Sequence, residues 1–268
     1  MSYVSNMIQQ PIQTYISDRE IFNRAHKSGN IVQEEVLLAM EAGEIPLRYQ
    51  RNNHALSLTD QISLARSAVL LVGCGGLGGN LCEYLVRMGV GKIVACDPDV
   101  FEESNCNRQI LATSETLGQS KALAARQRAL AINPLVEVVA VEDFVRFDLL
   151  DSVQAVADCL GGADYRQELL EMARIADLPL VSAGIAGWHA LVCTTWPGES
   201  GIGEFMGKAA NSVEDEQGVL APVASFAASL QAGELVRIMT GVSPILRGNL
   251  LMADTARMRF STVDLDIF

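Results

Sequence analysis

The sequence predicts an α/β fold: a mostly parallel sheet with helices on both faces, extended by antiparallel strands near the C-terminus and preceded by a helical arm. Three observations predict it. Short apolar runs bounded by turn residues alternate with stretches whose apolar residues recur at helical spacing. A glycine cluster, Gly73 to Gly79, joins the run Ala68 to Val72 directly to a helical stretch. The next run, Lys92 to Cys96, ends on Asp97, where a doubly wound sheet places a carboxylate for ribose hydroxyls.

Taken from the start, residues 1 to 16 carry Gln, Ser and Pro and read as an extended or poorly ordered lead-in. Ser17-Asp18-Arg19-Glu20 has the form of a capping box and opens a helix to about Lys27, which Ser28-Gly29-Asn30 breaks. Ile31 to Ala42 repeats the helical pattern, stops at Gly43 and turns at Ile45-Pro46. These residues make an N-terminal helical extension, 1–47, and the α/β unit occupies 48–268.

The first strand, Ala68 to Val72, is followed by a helix through Met88, and the second strand by a polar segment from Asp97 to Gln109. Ala122 to Ile132 is helical, Val136 to Val141 and Val153 to Ala157 are strands, and Asp158 follows at a strand's carboxyl end. A helix covers Gly162 to Ala176, and a fifth strand spans Pro179 to Ala183. Gly184 to Gly187 reads as a turn into Ala190 to Trp196, an antiparallel member. Pro197 to Gly218, rich in Gly and Glu, reads as a mobile loop. Ala221 to Thr240 is a long apolar helix, and Asn249 to Ala253 with Arg257 to Val263 form a terminal hairpin.

The chemistry concentrates between Gly73 and Lys121. Glycines permit close approach of a ligand, and unpaired amides at a helix start favour an anion, so Gly73, Gly75, Gly76, Leu77 and Gly78 predict a phosphate site. Asp97 is expected beside the ribose, Asp99 is a further cofactor-binding candidate, and Asn105 and Gln109 supply side-chain amides. Arg108 and Lys121 go beyond what a dinucleotide asks for: its two phosphates are met largely by backbone amides, whereas a triphosphate brings charge that calls for cations. A nicotinamide-dependent oxidoreductase and a non-catalytic binding module stay open on these residues.

In its motifs the chain resembles the ThiF/MoeB/HesA family, relatives of the ubiquitin-activating enzymes, with Rossmann-like folds. The resemblance rests on Gly73-Cys74-Gly75-Gly76-Leu77-Gly78, Asp97-x-Asp99, Ser104-Asn105-x-x-Arg108-Gln109, Gly118-Gln119-x-Lys121 and Ile132-Asn133-Pro134. It continues through Asp158-Cys159, Pro179-Leu180-Val181-Ser182 and Val219-Leu220-Ala221-Pro222, covering approximately residues 46–262. It implies an adenylyltransferase that binds ATP and magnesium and activates the C-terminal glycine of a ubiquitin-like sulfur carrier ending in Gly-Gly. It further implies catalytic roles for Arg51, Arg108, Lys121 and Asp158, with Asp158 as the magnesium ligand and Arg51 lent across a homodimer. Asp158 as a helix cap is the competing reading. Two departures are visible. Gly161 and Gly162 stand where the family often has an Asp-Asn pair, and the family's loop cysteine aligns near Glu214.

Composition bounds the rest. A chain of 268 residues, 49% hydrophobic, can bury one large core. Its net charge of −12 with no long basic run disfavours a nucleic-acid partner. The six cysteines are dispersed, none at metal-ligand spacing, so no structural zinc is expected and the thiols read as reduced. With no membrane-length apolar stretch and no export-type start, a cytoplasmic protein without a membrane partner is expected.

Overall fold

The computed structural model describes residues 14–162, 164–206 and 216–265. Its central sheet is built from β3 (Ala68–Val72), β4 (Lys92–Cys96), β5 (Glu137–Val141), β6 (Ala155–Asp158), β7 (Leu180–Ala186), β8 (His189–Thr195), β9 (Asn249–Asp254) and β10 (Arg259–Asp264). The spatial order is β10-β9-β8-β7-β6-β3-β4-β5. From β5 across to β7 every pairing is parallel, and from β7 to β10 every pairing is antiparallel. This is the sheet the sequence predicts, including its antiparallel extension.

Strand β3 shows why its sequence is an unbroken apolar run. Val69 and Leu71 pack into a core on one face, while Ala68, Leu70 and Val72 pack into a core on the other, so both faces are dry. The first face is covered by α4 (Gly76–Met88), α5 (Lys121–Ile132) and α8 (Ala221–Met239), through residues such as Leu81, Leu85, Ala125 and Leu235. Small side chains along α8, Ala224, Ala227 and Ala228, lie in this core and allow helix and sheet to approach closely. The opposite face is covered by α6 (Asp164–Ile175) through Leu169, Leu170 and Ala173.

The arm consists of β1 (Thr14–Ile16), α1 (Asp18–Ser28), α2 (Val32–Glu41) and β2 (Glu44–Pro46), with β1 and β2 paired in parallel. Ser17 caps α1 by accepting a hydrogen bond from Glu20 N, as its sequence predicts. The apolar face of the arm, Ile16, Ile21, Val36 and Met40, is buried with Leu135 and packs against Leu58 and Ile62 of α3 (Leu58–Arg66). Arg48 fastens the junction. It pairs with Asp18 at the start of α1 and donates from Nη1 to Ile132 O at 2.9 Å, at the end of α5.

Four points of the sequence reading are revised. The extended lead-in gives way at Thr14 to Ile16, which form a strand, while residues 1–13 lie outside the described residues. Helix α3 was missed, although Ser57 and Asp60 form a capping box at its start. Gly184 is no turn: it pairs with Leu191 inside the β7–β8 ladder, which keeps its backbone groups hydrogen-bonded, and the chain reverses after Ala186. The loop expected over 197–218 contains a short helix, α7 (Ile202–Met206), and residues 207–215, with Glu214, lie outside the described residues. Among the described residues no helix is long and apolar enough to cross a membrane.

The arm's attachment is testable at Arg48, whose charged hydrogen bonds are each of a kind worth about 1–3 kcal/mol. Arg48→Ala is expected to lower the urea midpoint by the equivalent of about 1–2 kcal/mol. An unchanged midpoint would show that the arm is held by its apolar face alone.

Candidate functional site

A cleft of about 760 Å³ opens at the carboxyl ends of the parallel strands. Its floor is the turn between β3 and α4. Gly73 has φ +92° and donates from N to Cys96 O at 2.8 Å, and a Cβ on it would lie 2.7 Å from Cys159 O. A Cβ on Gly78 would lie 1.8 Å from Gly73 O, so the first turn of α4 rests directly on the backbone of the strand-end turn. The helix is capped by Gly75, which has no side chain to offer, and the amides of its first turn are left for another acceptor. Gly73, Gly75, Gly76 and Leu77 line the cleft, and Gly78 lies behind them.

Asp97 lines the cleft next to this turn and is 5% exposed. Its Oδ2 accepts from Cys74 N at 2.6 Å and its Oδ1 from Asp99 N at 2.9 Å. Burial pushes the Asp97 carboxyl above the usual carboxylate range, against the pull of the two backbone amides and of Lys121. Asp99 also lines the cleft, and its Oδ2 lies 2.9 Å from Lys121 Nζ. The lysine, first residue of α5, is thereby held with its charge at the cleft wall, its side chain 10% exposed.

Arg108 reaches the cleft from the segment after β4. Its Nη1 donates to Ser104 O and to Asn107 Oδ1, both at 2.9 Å, and among the described residues it has no carboxylate partner. Gln109 is 7% exposed, and its Oε1 is buried without a hydrogen-bond partner. That atom lies near the position a Cβ on Gly75 would take, at 3.6 Å. A buried polar atom without a partner costs free energy unless a ligand or water satisfies it. The cleft therefore joins backbone amides and two cations, a donor set suited to a polyanion, with an unsatisfied acceptor, Gln109 Oε1, beside them.

Three of the sequence-predicted residues stand elsewhere. Asn105 is not in the lining: its Oδ1 accepts from Glu102 N at 3.1 Å and its carbonyl accepts from Arg108 N and Gln109 N, so it shapes the turn that presents those two residues. Asp158 does not face the cleft as expected. It is fully buried, with Oδ2 2.7 Å from Arg166 Nη1 and Oδ1 accepting from Leu160 N at 3.1 Å. Arg166 also donates to Gly162 O and Leu160 O, which closes the pair into the wall. Gln231 Nε2 on α8 donates to the Asp158 carbonyl at 2.9 Å and to Val181 O at 3.1 Å. Among the described residues no group of three or more His, Cys, Asp or Glu is placed to hold a metal ion. Arg51 is exposed, lies outside the cleft lining, and makes no hydrogen bond or ion pair among the described residues.

The cysteines offer no activated thiol beside the turn. Five are buried, and burial pushes Cys82 up to about 12 and Cys96 and Cys193 to about 11, while Cys106 alone is exposed. The sequence reading missed Phe144, Tyr165, Glu168 and Arg166. Phe144 follows β5, and the rule that ligands sit at the carboxyl ends of parallel strands would have found it. Nothing in the spacing signals that Arg166 folds back on Asp158.

Comparison with known proteins places the chain by sequence and by fold. The ThiF family model matches residues 49–267. The chain is 32% identical over 238 residues to the adenylyltransferase and sulfurtransferase MOCS3 of Sus scrofa, covering 85% of this chain and 52% of that protein. It spans about half the length of the MOCS3 relatives it matches. The sulfur carrier protein ThiS adenylyltransferase of Escherichia coli K12 is 31% identical over 197 residues, 70% of this chain and 78% of that protein. The solved structure of E. coli MccB with ATP superposes with a TM-score of 0.68 at 21% identity, over 81% of this chain and 70% of that one, a likeness of fold. With a family model running through both the glycine turn and the antiparallel extension, and a relative of which more than two thirds is matched, the chain belongs to the ThiF family.

Proposed function

We propose that this chain is an adenylyltransferase that uses ATP to activate the C-terminal glycine carboxylate of a ubiquitin-like sulfur-carrier protein ending in Gly-Gly. The observation that carries the reading is the convergence of Arg108 and Lys121, from separate segments, on the cleft above the glycine turn. A dinucleotide would leave both cations idle, whereas a triphosphate uses them. The names of MOCS3 and of the ThiS adenylyltransferase support the same reaction.

In the reaction a carboxylate oxygen of the carrier forms a bond to the α-phosphorus as the bond from that phosphorus to the bridging oxygen breaks. The electron pair leaves on pyrophosphate, and no proton need move. The chain's share is positioning and charge stabilisation. First-turn amides of α4 hold phosphate oxygens, Asp97 takes the ribose, and Arg108 and Lys121 meet the charge that builds on the departing pyrophosphate. Asp99 acts by presenting Lys121, and Gln109 supplies a side-chain amide to the same ligand.

ATP fits the residues present: the side-chain-free cradle and the two cations suit its phosphates, and the partnerless Gln109 Oε1 can accept from a hydroxyl or amino donor of the nucleoside. Magnesium at Asp158 does not fit, because Arg166 and Leu160 N already occupy the carboxylate. No step is assigned to a metal there. The exposed, unpaired Arg51 suits a residue lent to a second copy, and a homodimer working in the cytoplasm belongs to the same proposal.

The test is exchange of labelled pyrophosphate into ATP, screened over small carrier proteins ending in Gly-Gly. Exchange that depends on the carrier is expected, and none with any carrier would contradict the reading. Arg108→Ala and Lys121→Ala are each expected to slow exchange on the order of 10²-fold or more with the fold intact. Parent rates in both would remove the residues from the site. Arg166→Ala leaves a buried carboxylate unpaired and is expected to cost roughly 3–5 kcal/mol in unfolding free energy. A loss under about 1 kcal/mol, the range of exposed pairs, would mean that water reaches Asp158.

A further inference from the structure

Arg51 is exposed and lies outside the cleft lining, yet the residues on either side of it are fastened to the core. Two residues before it, Tyr49 is 2% exposed, and its ring lies over Gly89, where a Cβ would fall 2.5 Å from Tyr49 Cζ. The Tyr49 hydroxyl accepts from Asn133 Nδ2 at 2.8 Å, and the same nitrogen donates to Val86 O at 2.9 Å. One residue after Arg51, Asn52 Nδ2 donates to Gln61 Oε1 at 2.9 Å, and Gln61 Nε2 donates to Met88 O at 2.8 Å. Gln61, on α3, is 3% exposed, and both ends of its amide are spent on this relay.

The backbone closes the turn, with Asn52 N donating to Tyr49 O and Leu56 N to Asn52 O, both at 2.9 Å. Val86 O and Met88 O belong to the last turn of α4, where intrahelical donors run out. The segment that carries Arg51 is thus bolted to one end of the helix whose other end floors the cleft. The 13 residues of α4 span about 20 Å, several times the reach of one side chain. Arg51 therefore stands too far away to serve the cleft of its own chain.

We propose that Gln61 is a positioning residue for adenylyl transfer: by tying Asn52 to Met88 O it fixes where Arg51 stands, so that the guanidinium meets the pyrophosphate departing from a second copy's cleft. The inference rests on the reaction and on the loan of Arg51 proposed above. Gln61 touches no reacting atom and acts only through the turn it holds. Among the described residues no other hydrogen bond ties the Asn52 side chain to the core, so loss of the Gln61 amide frees the turn on one side of Arg51. A displacement of about 1 Å caused far from the chemistry can cost on the order of 10²-fold in rate. A turn already ordered also leaves only the arginine side chain to lose freedom on binding.

Pyrophosphate exchange by the full chain, with a carrier protein ending in Gly-Gly that supports it, tests the proposal as a double-mutant cycle. Arg51→Ala is expected to lower kcat on the order of 10²-fold or more. Gln61→Ala and Asn52→Ala are each expected to lower kcat about ten-fold or more with KM for ATP unchanged, because an arginine that meets only the departing charge adds nothing to ground-state binding. In the Arg51→Ala background neither is expected to slow exchange further, since nothing is left to position. Asn52→Ala leaves Gln61 free to keep Met88 O, so the relay can be cut even where Gln61→Ala does not fold. A full additional loss in the Arg51→Ala background assigns Gln61 to the fold alone and overturns the proposal, as do parental rates in Gln61→Ala and Asn52→Ala. A parental rate in Arg51→Ala overturns it too and leaves the adenylation reading standing. A parent chain that exchanges with no carrier overturns the adenylation reading, and the positioning role with it.

Discussion

The site depends on one close approach. The first turn of α4 sits on the backbone of the β3 end, with Gly78 over Gly73 O at a spacing no side chain permits. This contact brings the helix start to the strand ends and leaves its amides facing the cleft, with no side chain at Gly75 to cap them. Asp97 stiffens the same turn from the neighbouring strand by accepting from Cys74 N. The floor of the cleft is therefore a product of backbone packing, and any β-carbon at Gly78 would separate its two halves.

Around that turn, charge is arranged by short local structures. Asn105 shapes the bend that presents Arg108 and Gln109, and Asp99 holds Lys121 at the wall. The wall beyond Cys159 is set differently, by a buried Asp158 and Arg166 pair whose remaining donors bind the carbonyls of Leu160 and Gly162. A buried ion pair of this kind contributes little net stability against an apolar replacement, and here its further hydrogen bonds tie the loop after β6 to α6. Polar groups facing the cleft are thus positioned by the hydrogen bonds and ion pairs of their neighbours.

Much of this was legible in the chain because the signals are local. Continuous apolar runs such as Ala68 to Val72 mark strands buried on both faces, and the glycine cluster and Asp97 mark the strand ends where a ligand sits. The Ser17 cap and the antiparallel terminal strands were equally visible. What escaped was tertiary. Asp158 stands at a strand end, as a ligand-facing carboxylate would, yet Arg166 turns back from α6 and occupies it. Asn105 sits among polar neighbours that point to a ligand, and its side chain is spent on Glu102 N. Helix α3 is short, and its burial is tertiary: Leu64 enters the main core while Leu58, Ile62 and Ala65 pack against the arm.

The central claim is that a nucleoside triphosphate lies on the amides beneath Leu77 with Arg108 and Lys121 on its charge. A crystal structure of the chain with a non-hydrolysable ATP analogue tests it most directly. The account predicts phosphate oxygens within hydrogen-bonding distance of the Gly75 to Leu77 amides, the Arg108 guanidinium and Lys121 Nζ. Phosphates bound elsewhere, with both cations still engaged as they are now, would contradict it.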